Sequence, residues 1–239
     1  MSKTALLLPC YNEEKSIKKV ITDFQSVIPY ADIYVCDNNS TDISVSIAQS
    51  CGATVLHEHA QGKGNVIRRM FSEIDADIYL LVDADDTYSA TNAPELISAI
   101  ENGYDMAVGD RLSTSYFTEN KRPFHNAGNI FLRNCVNKVF KGNIADLLTG
   151  YRAFSKRFVK SFPATSTGFE IETEMSIYAL CNNMKYINIP VGYKDREKDN
   201  PSKLRTIPDG LRCFRTVLKK ACEMVWKKNN NAYRNSTPR

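Results

Sequence analysis

The chain has 239 residues, of which 43% are hydrophobic and 24% charged, and its formal net charge is +4. This composition is ordinary for a folded globular protein, and the length fits one large α/β domain or two small ones. So mild a charge gives no sign of a nucleic-acid partner, and no apolar run reaches the roughly 18 residues that span a bilayer.

Seven cysteines are scattered along the chain, and none of them forms a CxxC pair. Their odd number favours free thiols in a reducing compartment over a disulfide framework or a zinc site. The N-terminal residues lack the long apolar stretch behind a basic start that marks a secretory signal. We therefore expect a cytoplasmic protein.

Strand and helix signals alternate over the first 110 residues. Continuous apolar runs predict buried strands at 5–8, 33–36, 53–56, 78–82 and 105–109. Apolar residues at helical spacing predict helices from Ile17, at 43–50, after Asn65 and after Pro94. This alternation predicts an α/β fold in which helices cover both faces of a mostly parallel sheet.

The second half of the chain continues as one domain to residue 228. A polar loop is predicted at 113–123, helices at 126–140, 158–162 and 172–182, and strands within 146–154 and 184–191. An exposed loop at 195–204 precedes a last helix at 208–228, and a polar, disordered tail is expected at 229–239. The domain thus divides into residues 1–110, residues 111–207 and the terminal helix 208–228.

Three carboxylates follow the strand at 78–82, namely Asp83, Asp85 and Asp86. Like charges so close repel one another unless a cation neutralises them, and oxygen ligands favour Mg²⁺ or Mn²⁺. An ion held by one or two carboxylates keeps positions open for phosphate oxygens. The alternative interpretation is a polar turn at the end of a strand, and this stretch alone does not decide between them.

Two other strand ends are also polar. Tyr11, Asn12 and Glu13 follow the first strand, and residues 37–39, Asp-Asn-Asn, follow the second. Ligands of open α/β sheets bind outside the carboxyl ends of parallel strands. We therefore expect these side chains to line one site together with the acidic cluster.

Four segments in this order resemble family 2 glycosyltransferases of the GT-A fold: PCYNE at 9–13, VCDNNSTD at 35–42, QGKGN at 61–65 and VDAD at 82–85. Further segments look like the polyprenyl-phosphate branch, the dolichyl-phosphate mannose synthase type: GYRAF at 150–154, GFEIE at 168–172, DR at 195–196 and SKL at 202–204. Each motif alone is loose, but the ordered set is specific. The resemblance covers most of the chain and implies a nucleotide-binding half at 1–110 and an acceptor half at 111–207.

The resemblance also implies roles for individual residues. The nucleotide-sugar donor would bind to Pro9, Tyr11, Glu13, Asp37, Lys63, Asp83 and Ala84. Mg²⁺ or Mn²⁺ would bind to Asp83, Asp85 and Thr87. Thr87 stands where the mannose synthases have a glutamine, so either its oxygen or the neighbouring Asp86 would replace that glutamine, and the metal geometry stays open. The catalytic set would be Asp85, Arg111, Arg122, Arg196 and Lys203, with Arg111 and Arg122 on the phosphate of the acceptor.

The predicted reaction transfers a hexose, with inversion, from a UDP- or GDP-sugar to a polyprenyl phosphate. Arginine and lysine side chains would bring the two anionic substrates together, and an ionised phosphate needs little help from a general base. One alternative is transfer to a sugar or protein hydroxyl, for which Glu170 or Glu172 would be the base. Another is a non-catalytic nucleotide-sugar-binding protein. Solvated surface charges are the alternative for Arg111 and Arg122, but their position beside a strand end favours a functional role.

The last predicted helix carries an apolar stripe beside a basic row. Leu211, Phe214, Leu218, Cys222 and Val225 form the stripe, and Arg212, Arg215, Lys219 and Lys220 flank it. This pattern suits a helix lying on an anionic membrane, and equally a helix packed on the core with a basic outer face. We expect a peripheral protein on the cytoplasmic membrane face, with a membrane partner subunit or a homo-oligomer as further means of attachment.

Overall fold

The computed structural model describes residues 2–114, 123–196 and 203–236. Most of the predicted loop at 113–123 falls outside these ranges, and so does Arg122. None of the helices in the described ranges combines the length and the apolar character needed to cross a membrane.

Seven strands form one sheet in the order β3-β2-β1-β4-β6-β5-β7. Their bounds are β1 Thr4–Cys10, β2 Asp32–Asp37, β3 Thr54–His57, β4 Ile78–Leu81, β5 Met106–Asp110, β6 Arg152–Ser155 and β7 Tyr186–Pro190. Neighbouring strands are parallel except around β6, which runs antiparallel to both β4 and β5. The predicted mostly parallel sheet is therefore confirmed.

The helices alternate with the strands along most of the chain. Their bounds are α1 Ile17–Val27, α2 Ser44–Ser50, α3 Lys63–Glu73, α4 Ala93–Glu101, α5 Pro123–Phe140, α6 Lys156–Ser161, α7 Ile171–Cys181 and α8 Thr206–Ser236. Helix α3 begins at Lys63, within the segment predicted as a loop. Helix α8 runs past the predicted end at residue 228 and through most of the expected tail, because no glycine or proline interrupts the chain between Gly210 and Pro238.

Two hydrophobic cores lie on opposite faces of the sheet. Successive side chains of β1 point to opposite faces, so Leu6 and Leu8 pack with α1 and α4, while Ala5 and Leu7 pack with α3, α5 and α7. A strand covered on both faces needs apolar side chains at every position, which explains the continuous run that starts the chain. Helices on both faces were predicted, and the structure confirms them.

The pairing of the strands brings several polar segments to one edge. Cys10 pairs with Asp37, so the segments that follow β1 and β2 leave the sheet side by side. Leu81 at the end of β4 pairs with Arg152 at the start of β6, because these two strands run in opposite directions. The turn before β6 therefore meets the acidic segment that follows β4.

Candidate active site

A cavity of about 410 Å³ lies at this edge of the sheet. Eight of the residues predicted for the site line it: Pro9, Tyr11, Glu13, Lys63, Asp83, Ala84, Arg196 and Lys203. Asn38, Gln61, Gly62, Gly168 and Phe169 complete much of the wall. The ends of the strands, the first turn of α3, Arg196 and Lys203 therefore line one cavity.

Two glycines bring the first turn of α3 against a neighbouring segment. Gly62 has φ +132°, and a Cβ atom on Gly62 or Gly64 would overlap the carbonyl oxygen of Thr167 or Ser166, respectively. The amide of Gly64 instead donates a hydrogen bond to Thr167, at 2.9 Å. Only glycine permits this close approach, and it places the side chain of Lys63, the residue between the two glycines, in the cavity.

Lys63 joins two carboxylates at the floor of the site. Its ammonium group donates to Asp83 and, at 2.6 Å, to Glu172, and it is itself 9% exposed. Burial would raise the pKa of Asp83, but the charge of Lys63 outweighs it and holds that pKa below its usual value. For Glu172 burial prevails, so its pKa is raised. The charge of Asp83 is therefore fixed by Lys63.

Asp85 is held by a second cation. Arg196 Nη2 lies 2.5 Å from Asp85 Oδ2, and the hydroxyl of Thr87 donates to Asp85 Oδ1 at 2.7 Å. Burial and the neighbouring charge of Asp83 raise the pKa of Asp85, and Arg196 opposes this shift. Thr87 therefore orients Asp85 through its hydroxyl, in a position where the resemblance suggested a metal ligand.

Glu13 connects the first strand end to the same cations. Its Oε1 lies 2.6 Å from Lys203 Nζ and 3.3 Å from Arg196 Nη1. The backbone amide of Glu13 donates to Ser44 at the start of α2, at 2.8 Å, which fixes the segment after β1. Arg196 thus bridges Glu13 and Asp85, which come from two different strand ends.

Two of the acidic residues at the strand ends point elsewhere. Asp37 is buried at the end of β2, where it accepts the backbone amide of Ser40 at 3.2 Å, while its neighbour Asn38 lines the cavity. Asp86 has φ +61° and forms ion pairs with Lys19 and Lys194. The three carboxylates after β4 therefore separate into the pair Asp83 and Asp85, and Asp86 outside it.

Arg111 is committed to a buried ion pair. It donates to both carboxylate oxygens of Asp146, at 2.6 and 3.0 Å, and to the carbonyl of Leu148 at 2.9 Å. Burial would raise the pKa of Asp146, but Arg111 lowers it below its usual value. Among the described residues Arg111 is not part of the cavity wall, so its guanidinium supports the turn before β6 from behind.

Three charged residues of the wall were not predicted for the site: Arg205, Asp209 and Arg212. Arg205 follows directly after the SKL segment, and the other two lie in the first turns of α8. The sequence pattern assigned Arg212 only to the flank of the apolar stripe. Helical spacing from Arg205 through Asp209 to Arg212 is the signal that would have placed them together.

The pair Asp83 and Asp85 fits a divalent ion that is shared with a substrate. Within the described ranges, no three Asp, Glu, His or Cys side chains meet as a complete metal cage. Mg²⁺ is usually held by one or two carboxylates together with phosphate oxygens, so two carboxylates suffice when a diphosphate is bound. In this structure Lys63 pairs with Asp83 and Arg196 pairs with Asp85, so each carboxylate already has a positively charged partner.

Comparison with known sequences places the chain among glycosyltransferases. The model of the glycosyl transferase family 2 matches residues 5–162. Protein RfbJ of Shigella flexneri is 59% identical over 108 residues, 45% of this chain and 84% of that protein. Glycosyltransferase AglJ of Haloferax volcanii is 31% identical over 217 residues, 90% and 71% of the two chains. The dolichyl-phosphate hexose transferase of the same organism is 26% identical over 220 residues, 92% and 94%.

Solved structures share the fold. Glucosyl-3-phosphoglycerate synthase from Mycobacterium tuberculosis, in complex with Mn²⁺, UDP and phosphoglyceric acid, superposes with a TM-score of 0.74 at 18% identity, covering 92% of this chain and 78% of that one. The predicted GT-A fold is confirmed by this likeness, which at such identity concerns the fold alone. By its sequence, and in agreement with its fold, this chain belongs to glycosyltransferase family 2.

Proposed function

We propose that this glycosyltransferase is an inverting, metal-dependent enzyme that transfers a hexose from a UDP- or GDP-sugar to a polyprenyl phosphate. The observation that carries the proposal is the composition of the cavity. Two carboxylates suited to a metal–diphosphate, Asp83 and Asp85, lie in or beside a hollow whose wall contains the cations Lys63, Arg196, Lys203, Arg205 and Arg212. A reaction that joins two phosphate-bearing substrates needs cations of this kind beside its divalent ion, because the two anionic groups repel each other.

The donor side of the proposed site is the part nearest β1 and β4. Tyr11 lines the cavity and is partly exposed, so its ring could stack on a base, and Glu13, which lines the same cavity, would bind the ribose. Mg²⁺ or Mn²⁺ held by Asp83 and Asp85 would neutralise the diphosphate as it leaves. Arg196 and Lys203 then have a second role, since each can exchange its carboxylate partner for a phosphate oxygen.

The acceptor side is proposed to lie at the start of α8. Arg111 is occupied by Asp146, and Arg122 lies outside the described residues. Among the described residues, Arg205 and Arg212 are the cations that we assign to the acceptor side. A phosphate monoester is ionised at neutral pH and attacks without a strong base. The alternative hydroxyl acceptor would need a general base, and the carboxylate of Glu172, one candidate for it, is bound by Lys63 at 2.6 Å.

The likeness to known proteins supports the acceptor class. The relative that matches over the greatest share of both chains among those above is named a dolichyl-phosphate hexose transferase. A dolichol-phosphate mannosyltransferase of Pyrococcus furiosus is also similar, at 26% identity over 235 residues, 91% of this chain and 64% of that one. A lipid acceptor would place the enzyme at the cytoplasmic face of a membrane as a peripheral protein.

A transfer screen tests the proposal. UDP- and GDP-hexoses labelled in the sugar are incubated with the full chain and a polyprenyl phosphate, in Mg²⁺, in Mn²⁺ or in EDTA. We expect label in the lipid fraction only with a divalent ion, and none with Asp85→Ala. Equal transfer in EDTA would remove the metal from the proposal. Label transferred to sugar or protein hydroxyls, with none in the lipid phosphate, would overturn the acceptor.

A further inference from the structure

Helix α8 carries two apolar faces, of which one is buried against the domain and the other is largely exposed. The face towards the core contains Cys213 and Val217, which are 3% and 2% exposed. The other contains Ile207, Leu211 and Leu218, which are 75%, 64% and 52% exposed, and continues to Val225. Steps of four and seven residues align these positions along one side of the helix. Of the stripe predicted from the sequence, Phe214 packs partly against the core, whereas Leu211, Leu218 and Val225 remain exposed.

The stripe continues onto the neighbouring helix α5. Phe214 lies on the stripe between Leu211 and Leu218, and its ring centroid is 6.1 Å from that of Phe131. Phe131 is itself 57% exposed. Together Ile207, Leu211, Phe214, Leu218, Val225 and Phe131 form a continuous apolar surface, which we call the α8 surface. An exposed apolar area of this extent marks a binding site more often than a solvated face.

A basic row borders the α8 surface on its other side. Arg212, Arg215 and Lys219 occupy consecutive helical turns there, and all three are exposed. Arg212 also lines the active-site cavity, so the row leads from the apolar surface to the site. Apolar side chains beside a row of cations are the pattern of a helix that lies in the interface of an anionic membrane.

We propose that the α8 surface docks on a lipid bilayer that carries anionic headgroups. Charge complementarity favours a bilayer over a second copy of the chain. In a self-complementary contact each copy would bring Arg212, Arg215 and Lys219 to the same interface, where like charges repel. The biological role of this docking rests on the proposed function, since a lipid acceptor lies in a membrane. The surface itself follows from the burial pattern of α8.

Vesicle flotation with the full chain tests the docking surface. Binding is measured to phosphatidylcholine vesicles with and without phosphatidylglycerol. The double variant Leu211→Asp/Leu218→Asp should lose binding by at least about tenfold, since each leucine contributes its buried apolar area. The double variant Arg215→Glu/Lys219→Glu should lose binding to the anionic vesicles by more than about tenfold and respond less to salt. Ile43→Asp is the matched control, because Ile43 is 62% exposed at the start of α2, away from α8, and should bind as the parent does.

Three results would overturn the docking surface. The first is that the parent chain fails to float with anionic vesicles. The second is that the leucine double variant floats as well as the parent. The third is that the parent is a dimer that does not bind vesicles and the leucine double variant is a monomer. Circular dichroism and thermal unfolding establish that each variant is folded. Transfer to a short-chain, water-soluble prenyl phosphate separates the two proposals. Vesicle binding without transfer overturns only the proposed function, and transfer without vesicle binding overturns only the docking surface.

Discussion

The carboxylate of Asp83 lies directly against the backbone of Gly150, where any side chain would overlap it. Gly150 precedes β6, and Asp83 follows β4, so the antiparallel pairing of these strands creates the contact. The amide of Gly150 is held by the hydroxyl of Tyr88 at 3.0 Å, which leaves the turn little freedom to retreat. The position of Asp83 in the active site therefore requires a glycine at residue 150.

Gly150→Ala should displace Asp83 and lower transfer by roughly 100-fold, since a misplacement of about 1 Å has that effect on catalysis. Initial rates and the melting temperature are measured together, so that a loss of activity is separated from a loss of fold. Gly128→Ala in α5 is the control, because a Cβ atom there meets no atom within 4 Å. Full activity in Gly150→Ala would contradict the position of Asp83 described here.

The two adjacent carboxylates Asp85 and Asp86 should respond very differently to the same change. Asp85→Asn removes the charge that balances Arg196 and is expected to lower transfer roughly 100-fold or more. Asp86→Asn should stay within about twofold of the parent, because its ion pairs involve the exposed Lys19 and Lys194. Asparagine also tolerates the positive φ of Asp86, so the turn is preserved. Comparable losses in both variants would place Asp86 in the site.

The sequence located the edge of the sheet that carries the site, but not the orientation of each side chain there. Apolar runs and helical spacing identify the strands, and parallel strands share one ligand-binding edge, so Glu13 and Asp83 could be placed together. This reasoning cannot tell which of Asp85 and Asp86 belongs to the site, because the difference depends on the positive φ of Asp86, which directs its side chain away from Asp85. Likewise nothing local reveals that Arg111 pairs with Asp146, which is brought near only when β6 inserts between β4 and β5.

Lys63 is predicted to stabilise the fold as well as the site. Lys63→Met leaves Asp83 and Glu172 without their shared cation, and breaking a buried pair in this way costs about 3–5 kcal/mol in the free energy of unfolding. Adding Glu172→Gln should recover about 1–3 kcal/mol, because one buried charge is then removed. Urea unfolding of the two single variants and the double variant measures the coupling.

The matched control for Lys63 is Lys156→Met, whose ion pair with Asp75 is exposed and should contribute no measurable stability. Two outcomes would count against the role of Lys63. One is that Lys63→Met unfolds at the same urea concentration as the parent. The other is that the double variant is no more stable than Lys63→Met alone. Activity is expected to be lost in Lys63→Met and in the double variant, since Asp83 lacks its cation in both.

The buried pair of Arg111 and Asp146 should make stability depend on pH. Asp146→Asn leaves the guanidinium of Arg111 uncompensated and should lower the free energy of unfolding at pH 7 by about 3–5 kcal/mol. The pKa of Asp146 is lowered in the folded protein, because Arg111 outweighs the effect of burial. The stabilisation is therefore complete above the unfolded pKa of an aspartate, about 4, and is lost as the pH falls through the lower folded value. Parent and variant should differ fully at neutral pH and converge in acid, as urea unfolding across this range would measure. Asp32→Asn, which removes an exposed partner of Lys3, should follow the parent at every pH, and a difference for Asp146→Asn that persists undiminished in acid would exclude the carboxylate of Asp146 as its source.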